Sequence, residues 1–159
     1  MWRWNVSSQG VTPDTIDLLE MAKEMSTAGQ FDGAIKAYDE ALSDLDHNDV
    51  SPLAASTHND MAVAMFQLGD LDGAAQHMLR AVFLHGHFQQ WTDFYLSLLS
   101  LAQVHRARGE HRMAITCRIH AGRVRGVLSQ LQPMNRLEES RLRSFQQVVD
   151  TAMMRSAAK

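Results

Sequence analysis

Eight histidines, a single cysteine and a run of arginines are the side chains of this sequence with the widest chemical reach. Histidine ligates zinc or moves protons near neutrality, and a zinc site needs three or four convergent ligands. His47, His58, His77, His85, His87, His105, His111 and His120 contain no i, i+4 pair and no Cys/His cluster, and His85–Gly–His87 is a loop pair at most. The expectation is no metal and no cofactor, with the histidines solvated or at the edge of a core. Cys117 lies between Ala114 and Ala121 in a helical stretch. It reads as a small buried hydrophobe, because a reactive thiol needs exposure and a lowered pKa. Acidic pairs such as Glu138–Glu139 fall on a solvated helix surface with no cleft implied. No P-loop, dinucleotide-binding glycine run, nucleophile elbow or HExxH is present, so an enzyme is not expected.

The arginines Arg106, Arg108, Arg112, Arg118, Arg123 and Arg125 stand together with one acid, Glu110. Such a patch suits phosphate contacts, but no stacking aromatics interleave it and the overall pI is about 6.2, which disfavours nucleic acid. An acidic protein partner or a solvated flank fits better. The formal net charge of −3 hides an asymmetry. Residues 1–79 carry 13 acids against three bases, a balance of −10, and residues 80–159 carry 12 bases against five acids, a balance of +7. Complementary ends of this kind permit head-to-tail self-association. Phe88, Trp91, Phe94 and Tyr95 form an aromatic group expected to fill a core, with a binding anchor as the other reading. Trp2 and Trp4 stand apart from the periodic stretches.

The elements that carry these residues are read from a repeated text. Gly29, Gly69 and Gly109 are 40 residues apart, followed by FDGAIKAYDEAL, LDGAAQHMLRAV and HRMAITCRIHAG. Alanines recur at Ala34, Ala74 and Ala114, and again at Ala41, Ala81 and Ala121, with Tyr38, Met78 or Arg118 between them. Small residues let neighbouring helices approach, and glycine permits a sharp turn after a helix. Thr12-Pro13 and Ser51-Pro52 are cap-plus-proline starts. The spacing predicts helices from Pro13 to Gly29, about Asp32–Leu45, Pro52–Leu68, Leu71–His85, Gln89–Arg108 and His111–Leu131, with HNDVS and HGHFQ as links. Beyond Pro133, Leu142, Phe145, Val149 and Ala152 form the apolar stripe of a seventh helix, expected to cap the end. No stretch alternates with period two. The opening MWRWNVSSQG is not a signal peptide, no apolar run approaches the roughly 18 residues of a membrane span, and the lone cysteine suits a reducing compartment. A cytoplasmic protein without membrane contact is expected.

This pattern resembles the tetratricopeptide repeat family, most closely in AGQFDGAIKAYDEAL, then LGDLDGAAQHMLRAV, and weakly in RGEHRMAITCRIHAG. Large–small pairs at Met21-Ala22, Met61-Ala62 and Leu101-Ala102 extend the likeness over roughly residues 14–131. The 40-residue step looks like the longer-helix branch of that family, since the standard unit is about 34 residues. The resemblance implies an all-α, right-handed solenoid of three antiparallel helix pairs (12–46, 51–86 and 89–131), an N-terminal extension (1–11) and a C-terminal capping helix (133–159). It also implies a concave groove for a peptide or helix of a partner protein. Carried onto this sequence, the groove contains Leu19, Lys23, Asn59, Val63, Phe66, Leu96, Leu99, Gln103 and Arg106, with Ile16, Ser26 and Ser56 beside them. Arg108, Arg112, Arg118, Arg123 and Arg125 form a basic patch that would orient an acidic partner. The family's clamp for heat-shock chaperone tails falls at Leu19, Lys23, Asp60, Leu96 and Ser100, where four of five positions depart from it. That ligand is therefore excluded from the expectation. An adaptor or scaffold is the leading reading, with a secretion-type chaperone or a self-assembling array as alternatives.

Overall fold

The computed structural model describes residues 13–45 and 51–131, and these form six helices with no strand among them: α1 Pro13–Thr27, α2 Phe31–Asp44, α3 Pro52–Leu68, α4 Leu71–His87, α5 Trp91–Ala107 and α6 His111–Leu131. Each helix packs against the next in chain order, and α1 also touches α3. The expectations for the N-terminal extension, for the link between α2 and α3 up to Val50, and for a seventh helix fall outside the described residues.

Local chemistry sets the helix ends. Ser51 caps α3 by accepting from the Ala54 N–H at 3.0 Å, and Pro52 occupies the first helical turn, where its missing N–H costs nothing. Asp70 caps α4 by accepting from the Gly73 N–H at 2.9 Å. Four helices end on one and the same turn. In each, a residue with positive φ donates three residues back and its successor donates five back: Gly29 to Ser26 and Gln30 to Met25, Gly69 to Phe66 and Asp70 to Met65, Gln89 to Gly86 and Gln90 to His85, Gly109 to Arg106 and Glu110 to His105. This is the Schellman arrangement, which satisfies carbonyls left open at a helix end.

The core is built on small residues. Ala34, Ala41, Ala74, Ala81 and Ala121 are wholly buried and Ala114 nearly so, as are Ala22 and Ala62 on the neighbouring helices. Tyr38 and Met78 fill the large positions between the alanines, each 1% exposed. Cys117 is buried beside Leu101 and Ala102, as expected, and burial raises its thiol pKa.

Two expectations are corrected. The text HGHFQ is not all link: α4 runs on to His87 and only Phe88–Gln90 connects it to α5. Gly86 sits inside the helix, where a Cβ would meet the Phe94 ring at 3.2 Å, so this glycine serves close approach to α5 and not a turn. The aromatic group divides: Tyr95 is buried and Phe88 and Phe94 pack partly, whereas Trp91 is 44% exposed, against the Phe94 edge. Ile16, on the apolar pattern of α1 and expected beside the groove, is 46% exposed.

Candidate binding cavity and its surroundings

The odd-numbered helices repeat one stripe of positions. Lys23, Val63 and Gln103 are 40 residues apart, as are Ser26, Phe66 and Arg106, and likewise Leu19, Asn59 and Leu99. On α3 and α5 the steps of three and four residues keep such positions on one side of the helix. Asn59, Val63, Phe66, Leu96, Leu99 and Gln103 are all half-buried, and Lys23 and Arg106 are exposed. Leu19 is the exception: it is 6% exposed and packs with Ala22, Tyr38 and Met61. It belongs to the core and offers no surface to a partner, because the side chains of α2 and α3 close over it. Phe66 packs in part on Ala74, Ala75 and Val104, and Leu96 and Leu99 pack in part on Tyr95, Leu98 and Ala121.

Lys23, Asn59 and Val63 meet at a cavity of about 390 Å³, which Ser26, Thr27, Tyr38 and Asp60 also line. Sequence reasoning did not place Tyr38 there, and it met Asp60 only as a departure from the chaperone-tail clamp. Asp60 is the central group. Burial pushes its carboxyl above the ordinary carboxylate range, and Lys23, a side-chain hydrogen bond with Asn59, and His85 pull it back only in part. The Lys23 Nζ stands 4.0 Å from Asp60 Oδ2, beyond hydrogen-bonding distance, with side chains 61% and 33% exposed. Burial, and then the negative charge of Asp60, raises the Tyr38 phenol pKa, so Tyr38 is a neutral donor at any physiological pH. Asn59 Oδ1 accepts from Ser97 Oγ at 3.2 Å, which ties the cavity wall on α3 to α5.

The basic patch does not converge on a point. Arg108 lies at the turn before α6 and is paired with Asp72 at 3.0 Å and Glu110 at 3.2 Å. Arg112, Arg118, Arg123 and Arg125 are exposed on α6. Arg118 and Arg125, seven apart, share one side of the helix, and Arg112 and Arg123, eleven apart, share another.

Two histidines do meet, which spacing did not reveal because they lie on different helices. His58 on α3 and His77 on α4 place their Nδ1 atoms 2.9 Å apart, so one ring donates and the other accepts. Burial, with His77 and Arg80 nearby, lowers the His58 pKa to about 4; burial also lowers that of His77 against the pull of Asp39 and Asp70. Among the described residues no three His, Cys, Asp or Glu side chains gather as a metal would require. Two further histidines fasten turns: His85 Nδ1 to Gln90 Oε1 at 2.9 Å, and His105 Nδ1 to Glu110 Oε2 at 2.6 Å. His105 Nε2 is buried with no partner, so it cannot reach a substrate.

These helices, each packed on its successor, define an all-α protein, and no described helix is long and apolar enough to cross a membrane. No family model matches the sequence, and no curated protein does. Among solved structures, the fold is similar to that of BtubC (BKLC) from P. vanneervenii, with a TM-score of 0.69 and 23% identity over 77% of this chain and 50% of that one. The chain thus spans about half the length of BtubC, and at this identity the likeness extends to the fold alone.

Proposed function

We propose that this chain is a non-enzymatic adaptor, a tetratricopeptide-type right-handed solenoid of three antiparallel helix pairs. It would hold a peptide or helix of a partner protein along the face made by α1, α3 and α5. The observation that carries this reading is the repeated stripe. Except for the buried Leu19, positions equivalent at a 40-residue step on three helices stay half-buried or exposed, and most of those of α1 and α3 border one cavity, while the intervening alanines are sealed. A segment laid across such a surface gains apolar area from Val63, Phe66, Leu96 and Leu99 and direction from Lys23, Gln103 and Arg106. The exposed arginines of α6 would favour acidic residues at that end of the partner. A chaperone-tail carboxylate stays outside the reading, since Leu19 is buried and Asp60 brings a negative charge to the site. The buried thiol of Cys117 suits a reducing, cytoplasmic setting.

The test is affinity capture from the native host with the wild-type chain, Val63→Glu and Leu99→Glu, each checked by circular dichroism for an unchanged melting profile. Selective loss of the same captured protein from both variants is the expected outcome. Unchanged capture by two folded variants would refute the groove.

A further inference from the structure

The cavity between α1, α2 and α3 holds a carboxylate that its surroundings leave short of positive charge. Asp60 is still one-third exposed, and the nearest cation, Lys23 Nζ, sits 4.0 Å away on a side chain that is itself mostly in solvent. A well-formed ammonium–carboxylate pair is about 2.7–2.9 Å, so Lys23 shields the site without occupying it. Around Asp60 the walls alternate in character. The Tyr38 ring and Val63 are apolar; Ser26, Thr27 and Asn59 offer oxygen acceptors. Thr27 Oγ1 donates to the Lys23 carbonyl at 2.8 Å and Asn59 Oδ1 is already taken by Ser97, which fixes the wall; Asp60, hydrogen-bonded by Asn59, is the only carboxylate among the residues that line the cavity. The wider field agrees, since residues 1–79 carry the −10 charge balance.

We infer that this cavity is a recognition pocket for a basic side chain, an arginine guanidinium, presented by the segment that lies in the groove. Guanidinium is planar, always charged and weakly hydrated, and it pairs side-on with a carboxylate. A cavity of about 390 Å³ with one carboxylate and the apolar flank of Val63 matches a head of that shape and a methylene stem. Lys23 swings outward as the guanidinium enters, which its exposure allows. The partner segment would then read as basic where it crosses α1–α3 and acidic where it reaches α6, a polarity that fixes its direction in the groove. This inference rests on the groove reading and adds to it the chemistry of one anchor.

The experiment uses the full chain, ¹⁵N-labelled, titrated with N-acetyl-L-arginine N′-methylamide. The uncharged citrulline analogue and the glutamate analogue serve as the other arms. Expected are amide shifts confined to Lys23, Ser26, Thr27, Asn59, Asp60 and Val63 with the arginine probe and none with citrulline. Affinity should fall at least about tenfold in Asp60→Asn and rise in Lys23→Ala, which removes the competing cation. Ser26→Leu, which fills the pocket without touching its charge, should abolish the shifts. Equal response to citrulline, preference for the glutamate analogue, or arginine binding undiminished in both Asp60→Asn and Ser26→Leu would overturn the inference. Leu99→Glu separates the two readings: it should remove captured partners yet leave probe binding intact, so the pocket and the groove fail independently.

Discussion

Among the described residues Gln89 is the one non-glycine with positive φ, and replacing it should make the protein more stable. It occupies the left-handed region at φ 55, with the same pair of backbone hydrogen bonds that Gly29, Gly69 and Gly109 make at φ 78, 87 and 78. An L-residue there carries a cost of about 1–2 kcal/mol that glycine does not. Glycine in turn loses more backbone freedom on folding, an offset of about 0.5–1 kcal/mol. Gln89→Gly should therefore stabilise by roughly 0.5–1 kcal/mol, or about 2–4 °C in Tm per kcal/mol at this chain length. The Gln89 side chain is exposed, and Gln90, whose Oε1 accepts from His85 Nδ1–H, is untouched. The converse substitution is Gly69→Ala, where an added Cβ meets nothing within 4 Å. Its cost is then backbone strain alone, about 1 kcal/mol. Urea unfolding followed by circular dichroism measures both, with Gln89→Ala as the control that removes the side chain and keeps the strain. A rise in midpoint for Gln89→Gly, a fall for Gly69→Ala and little change for Gln89→Ala, all at constant m, is the expected set. If Gln89→Gly lowers the midpoint, the turn between α4 and α5 is held by something other than the shared backbone geometry.

The His58–His77 pair should make stability depend on pH. His58 falls from an unfolded value near 6.5 to about 4 in the fold, so the unfolded chain binds more protons between those values. Its contribution is complete above about pH 6.5 and is lost as pH falls toward 4, on the order of 2 kcal/mol once solvent screening of half-buried rings is allowed for. His58→Gln should flatten that loss; a wild-type-to-variant difference identical at about pH 7 and about pH 4.5 in urea melts would remove the explanation. Met78 and Arg118 occupy equivalent places 40 residues apart, one 1% exposed and the other exposed. Met78→Ala should cost about 2–5 kcal/mol and Arg118→Ala under about 0.5 kcal/mol; comparable losses in thermal melts would show that Arg118 is covered after all.

The helices were legible because their ends carry punctuation. Ser51-Pro52 and three glycines at positive φ each do locally what the sequence text suggests. Gly86 misled for a physical reason: glycine serves both sharp turns and close contacts, and only the position of the Phe94 ring tells which. The turn that Gly86 did not make is formed three residues later by Gln89, a residue type that carries no such signal. Apolar periodicity likewise marks the buried side of a helix but not how far the neighbours reach around it. Hence Ile16 and Trp91 stand largely in solvent while Leu19 is sealed. The cavity was legible only in part. Lys23, Asn59 and Val63 follow from the repeat, but Tyr38 and Asp60 join them through the packing of three helices, which no spacing in one dimension encodes.

The third occurrence of the repeated text looks eroded, with Arg118 in the large slot and Gly122 after the alanine, and the packing explains why erosion is tolerated there. On α2, Ile35 packs on the cluster that contains Met61 of α3, and Leu42 packs on Ala54 and Ala55 of α3. At the equivalent places on α4, Ala75 packs with Val104 of α5 and Val82 with Tyr95 and Leu98 of α5. The same register on α6 gives Ile115, which is 58% exposed, and Gly122, whose added Cβ would meet open space. Among the described residues no following helix presses on that side, so the demand for an apolar side chain of fixed volume lapses. The demand on the opposite side does not: Ala114, Cys117 and Ala121 remain buried against α5. One helix thus keeps the repeated alanines on the face that is packed and carries arginines on the face that is not. Loss of the motif at Arg118 and Gly122 reads as a change of neighbour, from helix to solvent or partner, on a helix that is otherwise built like α2 and α4.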